Sequence, residues 1–261
     1  MENSIHDRIH AVDVSRLTPL MNDRMLERFR TLPFVPKGAV ISYIPYFTGG
    51  TEGNIALYAR VRDYHSVMYA YMLEYERGLS ARFPGMRFMA LKNGWPLPVV
   101  PAANMCGVGF TGRHGLQIVE PYGSYVTLGA VLCDSLLPET PPEGECAGCG
   151  ECEGACPTGA MRFDGEKRAL DRSRCISGVT QTKGGDNLDL IKLSPYIWGC
   201  DICQRVCPHN KDAKITDIPE FTDGIISDID SGALSGDLSG RHYSKALDLI
   251  KRNLEIRGGA I

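Results

Sequence analysis

The sequence predicts a mixed α/β (α+β) domain over residues 1–141, a cysteine-rich unit over 142–212, and a linker with a closing helix over 213–261. Three observations predict this order. Short β-branched runs alternate with one helical period in the first half. Eight of the ten cysteines fall between 145 and 210. Between the two units, "PETPPEG" (138–144) is too proline-rich to continue either and marks a boundary.

Bulk composition narrows the function classes. The 261-residue chain is 43% hydrophobic and 23% charged, with a formal net charge of −3. That balance argues against a non-specific nucleic-acid binder, which would carry a basic stripe. No run approaches the roughly 18 apolar residues of a membrane span. The opening "MENSIHDRIHAVD" lacks the apolar core of a secretory signal. A reduced, cytoplasmic protein without a membrane partner is therefore expected, and its cysteines should bind metal, since disulfide frameworks belong to small secreted chains.

The elements follow in order. "GAVISYI" (38–44) reads as a buried strand. From Asp63 the period changes: Tyr64, Val67, Met68, Tyr71, Tyr75 and Leu79 recur every three or four residues. This is an amphipathic helix capped by Asp63 and ended by "FPG" (83–85), and its tyrosine stripe is read mainly as core packing. "MRFMAL" (86–91) is a second strand, and "NGWPLPVVPA" is expected to be irregular. "LQIVE" (116–120) and "SYVTLGAVLC" (124–133) are further strands. Beyond the cysteines, "SGALSGDLSG" (231–240) reads as a flexible spacer and "SKALDLIKRNLEI" (244–256) as a closing helix.

The cysteines carry the strongest signal. Cys146, Cys149, Cys152, Cys156 and Pro157 form C-x2-C-x2-C-x3-C-P; Cys175 and then Cys200, Cys203, Cys207 and Pro208 form a related half. In two-cluster bacterial ferredoxins the fourth cysteine of such a run ligates the other cluster. On that rule one [4Fe–4S] cluster takes Cys146, Cys149, Cys152 and Cys207, and the second takes Cys156, Cys175, Cys200 and Cys203. Two four-cysteine zinc sites are the alternative, because C-x2-C pairs also serve zinc. Three ligands in immediate succession before C-P favour iron–sulfur. Cys133 in its apolar run reads as core, and Cys106 as packing beside a glycine loop.

"GVGFTG" (107–112) matches G-x-G-x-x-G, but neither the preceding strand nor the following helix of a dinucleotide site is readable around it.

Together these residues resemble the epoxyqueuosine reductase family, cobalamin-dependent double-cluster enzymes related to reductive dehalogenases. The resemblance runs from about residue 34 to 210. It rests on "YARVRDYH" (58–65), "GVGFTGRHGLQIVEPYGSYVTLG" (107–129), "CGECEGACPTGA", "CISGVT" and "GCDICQRVCPHN". It implies an N-terminal corrinoid-binding-like domain followed by the ferredoxin-like one, with base-off cobalamin against the second cluster. Cofactor contacts are implied for Tyr58, Arg60, Asp63, the loop glycines Gly107, Gly109 and Gly112, Arg113, Ser177, Cys200 and Asp201. Electrons would enter from an external low-potential donor, a ferredoxin or flavodoxin, and pass through both clusters to cobalt. Arg60 and Arg62 could equally be solvated surface charges, and His114 and His209 are read as structural.

The departures from the family concern the substrate end. Asn93 stands where the family has an aspartate three residues before a proline, here Pro96; Val99 and Thr182 replace family glutamates. An amide does not donate a proton as a carboxylic acid does, so Tyr64 or His65 becomes the candidate acid beside Asn93. The chain ends about 50 residues after Cys207, short of the family's helical-repeat extension. With the net charge of −3 this disfavours a tRNA substrate. The leading expectation is a reductase acting on a small molecule. The alternatives are an electron-transfer or corrinoid-binding protein serving a partner, and a minimal epoxyqueuosine reductase.

Overall fold

The computed structural model describes residues 8–164 and 167–258. Strand β1 (His10–Asp13) and helix α1 (Asp23–Arg30) lead to β2 (Gly38–Pro45). The short α2 (Leu57–Arg60) and the long α3 (Tyr64–Arg82) follow, then β3 (Phe88–Leu91) and α4 (Val99–Met105). A small β4–β5 hairpin (Phe110–Thr111 and Gln117–Ile118) precedes β6 (Val126–Cys133). The main sheet has the order β1-β2-β6-β3, and every neighbouring pair is antiparallel.

Both faces of this sheet are covered, which is why β2 reads as a nearly unbroken apolar run. Alternate residues serve opposite cores. Val40, Ile44 and Val131 pack with Met68, Met72, Tyr75 and Leu79 of α3. Ala39, Ile41, Ala130 and Leu132 pack with Ala102 and Ala103 of α4 and with Leu17. Asp63 caps α3 as expected, its Oδ1 accepting the His65 N–H at 3.1 Å. Gly129 lets α3 approach: a Cβ there would sit 2.5 Å from the Met68 sulfur.

Two local expectations change. Residues within "NGWPLPVVPA" do form regular structure, because α4 starts at Val99 and holds Pro101 in its first turn, where the missing N–H needs no helical partner. The "PETPPEG" boundary is pinned along β1. The Asp13 N–H and the Arg16 guanidinium donate to Glu139, and the Thr140 hydroxyl donates to the Ile9 carbonyl.

The cysteine-rich unit holds α5 (Glu151–Gly154), a β7–β8 hairpin (Met161–Asp164 and Lys167–Leu170), α6 (Ile176–Thr180) and α7 (Ile202–Arg205). A buried polar network joins it to the sheet domain. Tyr46 Oη and Ser124 Oγ both donate to Gln204 Oε1, at 3.3 and 3.0 Å. Asn210 donates to Ser124 Oγ and the Gln204 carbonyl, and its Oδ1 accepts the Ser124 N–H at 2.6 Å. Asn210→Ala strands these buried groups and should cost about 2–4 kcal/mol. Urea unfolding of the loaded protein measures it, and an unchanged midpoint would show that the network contributes nothing net.

The segment after the cysteines is neither a linker nor a flexible spacer. Thr216 Oγ1 donates to the Pro45 carbonyl, and Ile218, the N-cap of α8 (Pro219–Thr222), enters the α3-side core with Phe221. Within 231–240, Leu238 is buried and the Gly240 carbonyl accepts the Asp63 N–H at 2.8 Å. Ile229, Tyr243, Leu249 and Ile250 close a third core over Ile55, Ala59 and Trp198. The closing helix α9 spans Leu247–Ile256, and its buried Asn253 donates to the Thr180 and Ile197 carbonyls. Among the described residues no helix is long and apolar enough to cross a membrane.

Candidate cluster sites and the adjoining cleft

The eight cysteines separate into two cavities. Cys146, Cys149, Cys152 and Cys207 line a small one with Arg113, His114 and His209. Cys156, Cys175, Cys200 and Cys203 line a second, larger one. The division follows the two short helices. Cys152 lies within α5 and Cys156 beyond its end, as Cys203 lies within α7 and Cys207 beyond its end; the two helices pack together. Each run thus gives its inner cysteine to one cavity and its last to the other.

Backbone N–H groups face these sulfurs. The Arg113 N–H donates to Cys146 Sγ at 3.4 Å. Burial acts to raise the Cys156 thiol, but the Thr158 hydroxyl and the N–H groups of Thr158, Ala160 and Met161 outweigh it and hold the thiol below its ordinary range. Burial pushes Cys203 up to about 12 and Cys200 well above its usual value. Four thiols surrounding a volume, two of them buried enough to need a compensating cation, are a donor set that fits a metal cluster. Among the described residues no group of three or more His, Cys, Asp or Glu converges on a single-ion position. Cys106 and Cys133 lie fully buried elsewhere, their thiols pushed up to about 12 and about 11 by burial, as core residues.

The second cavity, of about 420 Å³, extends beyond its cysteines between the two units. Tyr46, Tyr58, Tyr64, Val126 and Thr127 wall it from the sheet domain, and Ile176, Ser177 and Gln181 from the cysteine-rich unit. A further cleft of about 260 Å³ adjoins it, sharing Tyr46, Tyr64, Leu116, Val126 and Thr127, and is lined also by His65 and Asn93. Asn93 holds a left-handed backbone (φ 57°), which an asparagine tolerates better than most residues. His65 Nδ1 donates to Asp63 Oδ1 at 2.9 Å. The Tyr64 phenol is pushed up to about 12, first by burial and then by Asp63.

Of the cofactor contacts expected from sequence, Tyr58, Ser177 and Cys200 line the larger cavity; of the catalytic candidates, Tyr64 lines both that cavity and the cleft beyond, and His65 and Asn93 line the cleft. Five of the expected contacts are engaged elsewhere in the structure. Arg60 is 3% exposed and donates to the Ile55, Gly50 and Thr51 carbonyls, so it holds its own loop. Asp63 caps α3 and orients His65. Asp201 is fully buried, accepts the Leu57 N–H at 2.7 Å and a Gln204 bond at 3.2 Å, and is pushed up to about 6 by burial. Gly107 and Gly109 have positive φ, and a Cβ at either would strike the Pro141 or Ile118 carbonyl; at Gly112 it would strike the His114 ring. The glycine loop therefore packs on its own chain. Arg113 belongs to the smaller cavity and lies 3.7 Å from Glu153.

Two cavity residues had no local signal, Gln181 and His242. His242 comes from 213–261, expected to be a linker and closing helix, and lies between the spacer and the helix. Its nearest polar partner, Trp198, is 44 positions away in the chain.

Comparison with known proteins bears on these sites. Residues 145–210 match the 4Fe-4S double cluster binding domain. The epoxyqueuosine reductase of Aliivibrio fischeri is 33% identical over 173 residues, which is 65% of this chain and 46% of that protein. That of Listeria monocytogenes is 35% identical over 167 residues, 62% of this chain and 43% of that protein. The chain thus spans about half the length of the curated relatives it matches. An epoxyqueuosine reductase solved with an epoxyqueuosine-modified tRNA-Tyr stem loop shares the fold at a TM-score of 0.76 and 23% identity, covering 96% of this chain and 76% of that one. The Bacillus subtilis enzyme, solved with its catalytic loop swung out of the active site, gives a TM-score of 0.78 at 23% identity, covering 96% and 77%. A catabolic reductive dehalogenase matches at 0.51 and 18%, covering 87% and 32%.

One expectation falls here. Net charge and chain length disfavoured a tRNA substrate. The curated relatives are nevertheless epoxyqueuosine reductases, and a protein of this fold has been solved holding a tRNA stem loop. Net charge averages the whole surface and does not describe the rim of a cleft, where Arg172 is exposed beside the larger cavity.

Proposed function

From a chain that fits an epoxyqueuosine reductase-like family, we infer an iron–sulfur reductase that acts on a modified base presented by a tRNA loop. The observation that carries this reading is a pair of adjoining cavities, one lined by the thiols of Cys156, Cys175, Cys200 and Cys203 and the other by His65 and Asn93, with Tyr46, Tyr64, Leu116, Val126 and Thr127 lining both. Electron-carrying groups and substrate chemistry need such a shared wall.

Cys146, Cys149, Cys152 and Cys207 would hold one cluster, and Cys156, Cys175, Cys200 and Cys203 the second; bound clusters supply one-electron transfer. A cobalamin between Tyr58, Tyr64, Ser177 and Gln181 would supply the reducing metal centre, chemistry that belongs to the cofactor. The chain's own residues position and protect. Tyr46, Tyr58 and Tyr64 give the cavity large aromatic walls that exclude water. Gln181 Nε2 donates to both the carbonyl and the hydroxyl of Ser177, which fixes that rim. His65, held by Asp63 through Nδ1–H, presents Nε2 as the atom that exchanges a proton with substrate in the cleft. Tyr64, whose phenol lies at about 12, parts with its proton less readily.

The test is a cobalamin titration of anaerobically reconstituted protein, followed by optical and EPR spectroscopy. A base-off Co(II) signal is expected. Clusters without any cobalamin signal would overturn the cofactor reading and favour a partner-serving electron carrier, the reading that the Asn93 amide supports.

A further inference from the structure

The ring of His242 is enclosed by aromatic side chains. It stacks on Tyr64 at 5.5 Å and 14° between planes, and on His65 at 5.2 Å and 16°. Tyr58 and Trp198 meet it edge-on, at 5.2 and 5.7 Å. The backbone around it is fixed on both sides. The Asp63 N–H donates to the Gly240 carbonyl at 2.8 Å, Arg241 Nη1 donates to the Arg60 carbonyl at 2.9 Å, and Tyr243 is fully buried.

One nitrogen of this ring is assigned by its partner. Trp198 Nε1 lies 3.2 Å from His242 Nδ1, and an indole nitrogen only donates. Nδ1 therefore accepts, and the single proton of the neutral ring sits on Nε2. Protonating Nδ1 would set N–H against N–H. Burial, and after it the neighbouring His65, hold the imidazolium pKa down to about 4, which keeps the ring neutral. Among the described residues no other hydrogen bond reaches His242, and its Nε2 is not a buried atom. The ring borders the larger cavity opposite Ser177 and Gln181.

An aromatic box of this kind would accept phenylalanine with no polar atom to satisfy. A histidine locked as a donor on its free edge is explained by an acceptor in the cavity. We propose that His242 is a cofactor-binding residue, donating from Nε2–H to a carboxamide oxygen on the rim of the corrinoid. This rests on the cofactor reading above and assigns the C-terminal segment a part in it. That segment lies outside the 4Fe-4S double cluster match at 145–210. Physically, the donor needs no change of protonation to act, and the stack fixes its direction before the ligand arrives, so little side-chain entropy is lost on binding.

The test uses the full chain with both clusters reconstituted, and titrates cob(II)alamin into wild type, His242→Phe, His242→Gln and Trp198→Phe. Iron and sulfide content and the melting temperature report folding separately. Loss of one neutral hydrogen bond predicts about tenfold weaker cobalamin binding in His242→Phe, with unchanged cluster content. His242→Gln keeps an N–H donor of similar reach and should stay within about threefold of wild type. Trp198→Phe frees Nδ1 to carry the proton and should fall between them. His242→Phe binding cobalamin as tightly as wild type overturns the proposal and leaves His242 as packing. Should His242→Phe lose its clusters, His242→Gln binding as weakly as the least competent variant would overturn it as well. Wild type that binds no cobalamin overturns the cofactor reading itself, and this one with it.

Discussion

Cys152→Ser and Cys156→Ser, four positions apart in one loop, are expected to remove different clusters. Cys152 faces the cavity of Cys146, Cys149 and Cys207, whereas Cys156 faces that of Cys175, Cys200 and Cys203. Each variant should therefore retain about four of the eight irons that two cubanes hold. The EPR signals should pair the variants by cavity: Cys152→Ser with Cys207→Ser, and Cys156→Ser with Cys175→Ser. On the proposed route, in which electrons pass both sites, turnover should be lost almost completely in all four. The pairing is the discriminating result. Identical residual signals in Cys152→Ser and Cys156→Ser would mean that the first four cysteines serve a single centre. The two cavities also differ in exposure. Cys149 is exposed in the smaller one, while burial holds Cys200 and Cys203 far from ionisation in the larger. On the proposed function the smaller cavity is thus the side at which an external donor would approach, and the larger the side at which substrate would be reduced.

What the sequence made legible was set by short-range physics. The strand 38–44 and the helix begun by Asp63 follow from periodicity and one capping side chain, and both stand within a residue of expectation. The grouping of the cysteines into two cavities follows the spacing together with the ferredoxin rule that the last cysteine of a run serves the other site. What stayed hidden depends on contacts distant in the chain. The polar segment 231–240 looked flexible because its few apolar residues have no period, yet Leu238, with Tyr243 just beyond the segment, packs into the core around Trp198. The resemblance implied a cofactor contact for Arg60, with a solvated charge as the alternative; here three backbone carbonyls of residues 50–55 receive it in a buried position. The loop glycines suggested a ligand, and the close neighbours turned out to be the Pro141 and Ile118 carbonyls. In each case residue type was informative and the partner was not.

The proton donor gives the last expected result. Asn93 and His65 face the same cleft, and an amide does not supply a proton. His65→Phe keeps the stack on Tyr64 and His242 but removes the exchangeable nitrogen. Turnover of an epoxyqueuosine-modified stem loop should fall by about 10² or more, the usual contribution of a positioned acid. Cluster and cobalamin content should not change. Asp63→Asn tests the same arrangement from behind. Asparagine still caps α3, so the helix is kept, but the carboxylate that accepts from Nδ1 is lost. A smaller loss, about tenfold, is expected, because the amide oxygen still accepts from Nδ1–H but no longer supports the imidazolium with a negative charge. Asn93→Asp should then rescue His65→Phe, since a carboxylic acid at 93 opens on the same cleft. Tyr64→Phe is the control, and a rate close to wild type is expected from a phenol held at about 12. If Tyr64→Phe instead shows the hundredfold loss and His65→Phe does not, burial of the phenol serves proton donation and His65 is its support.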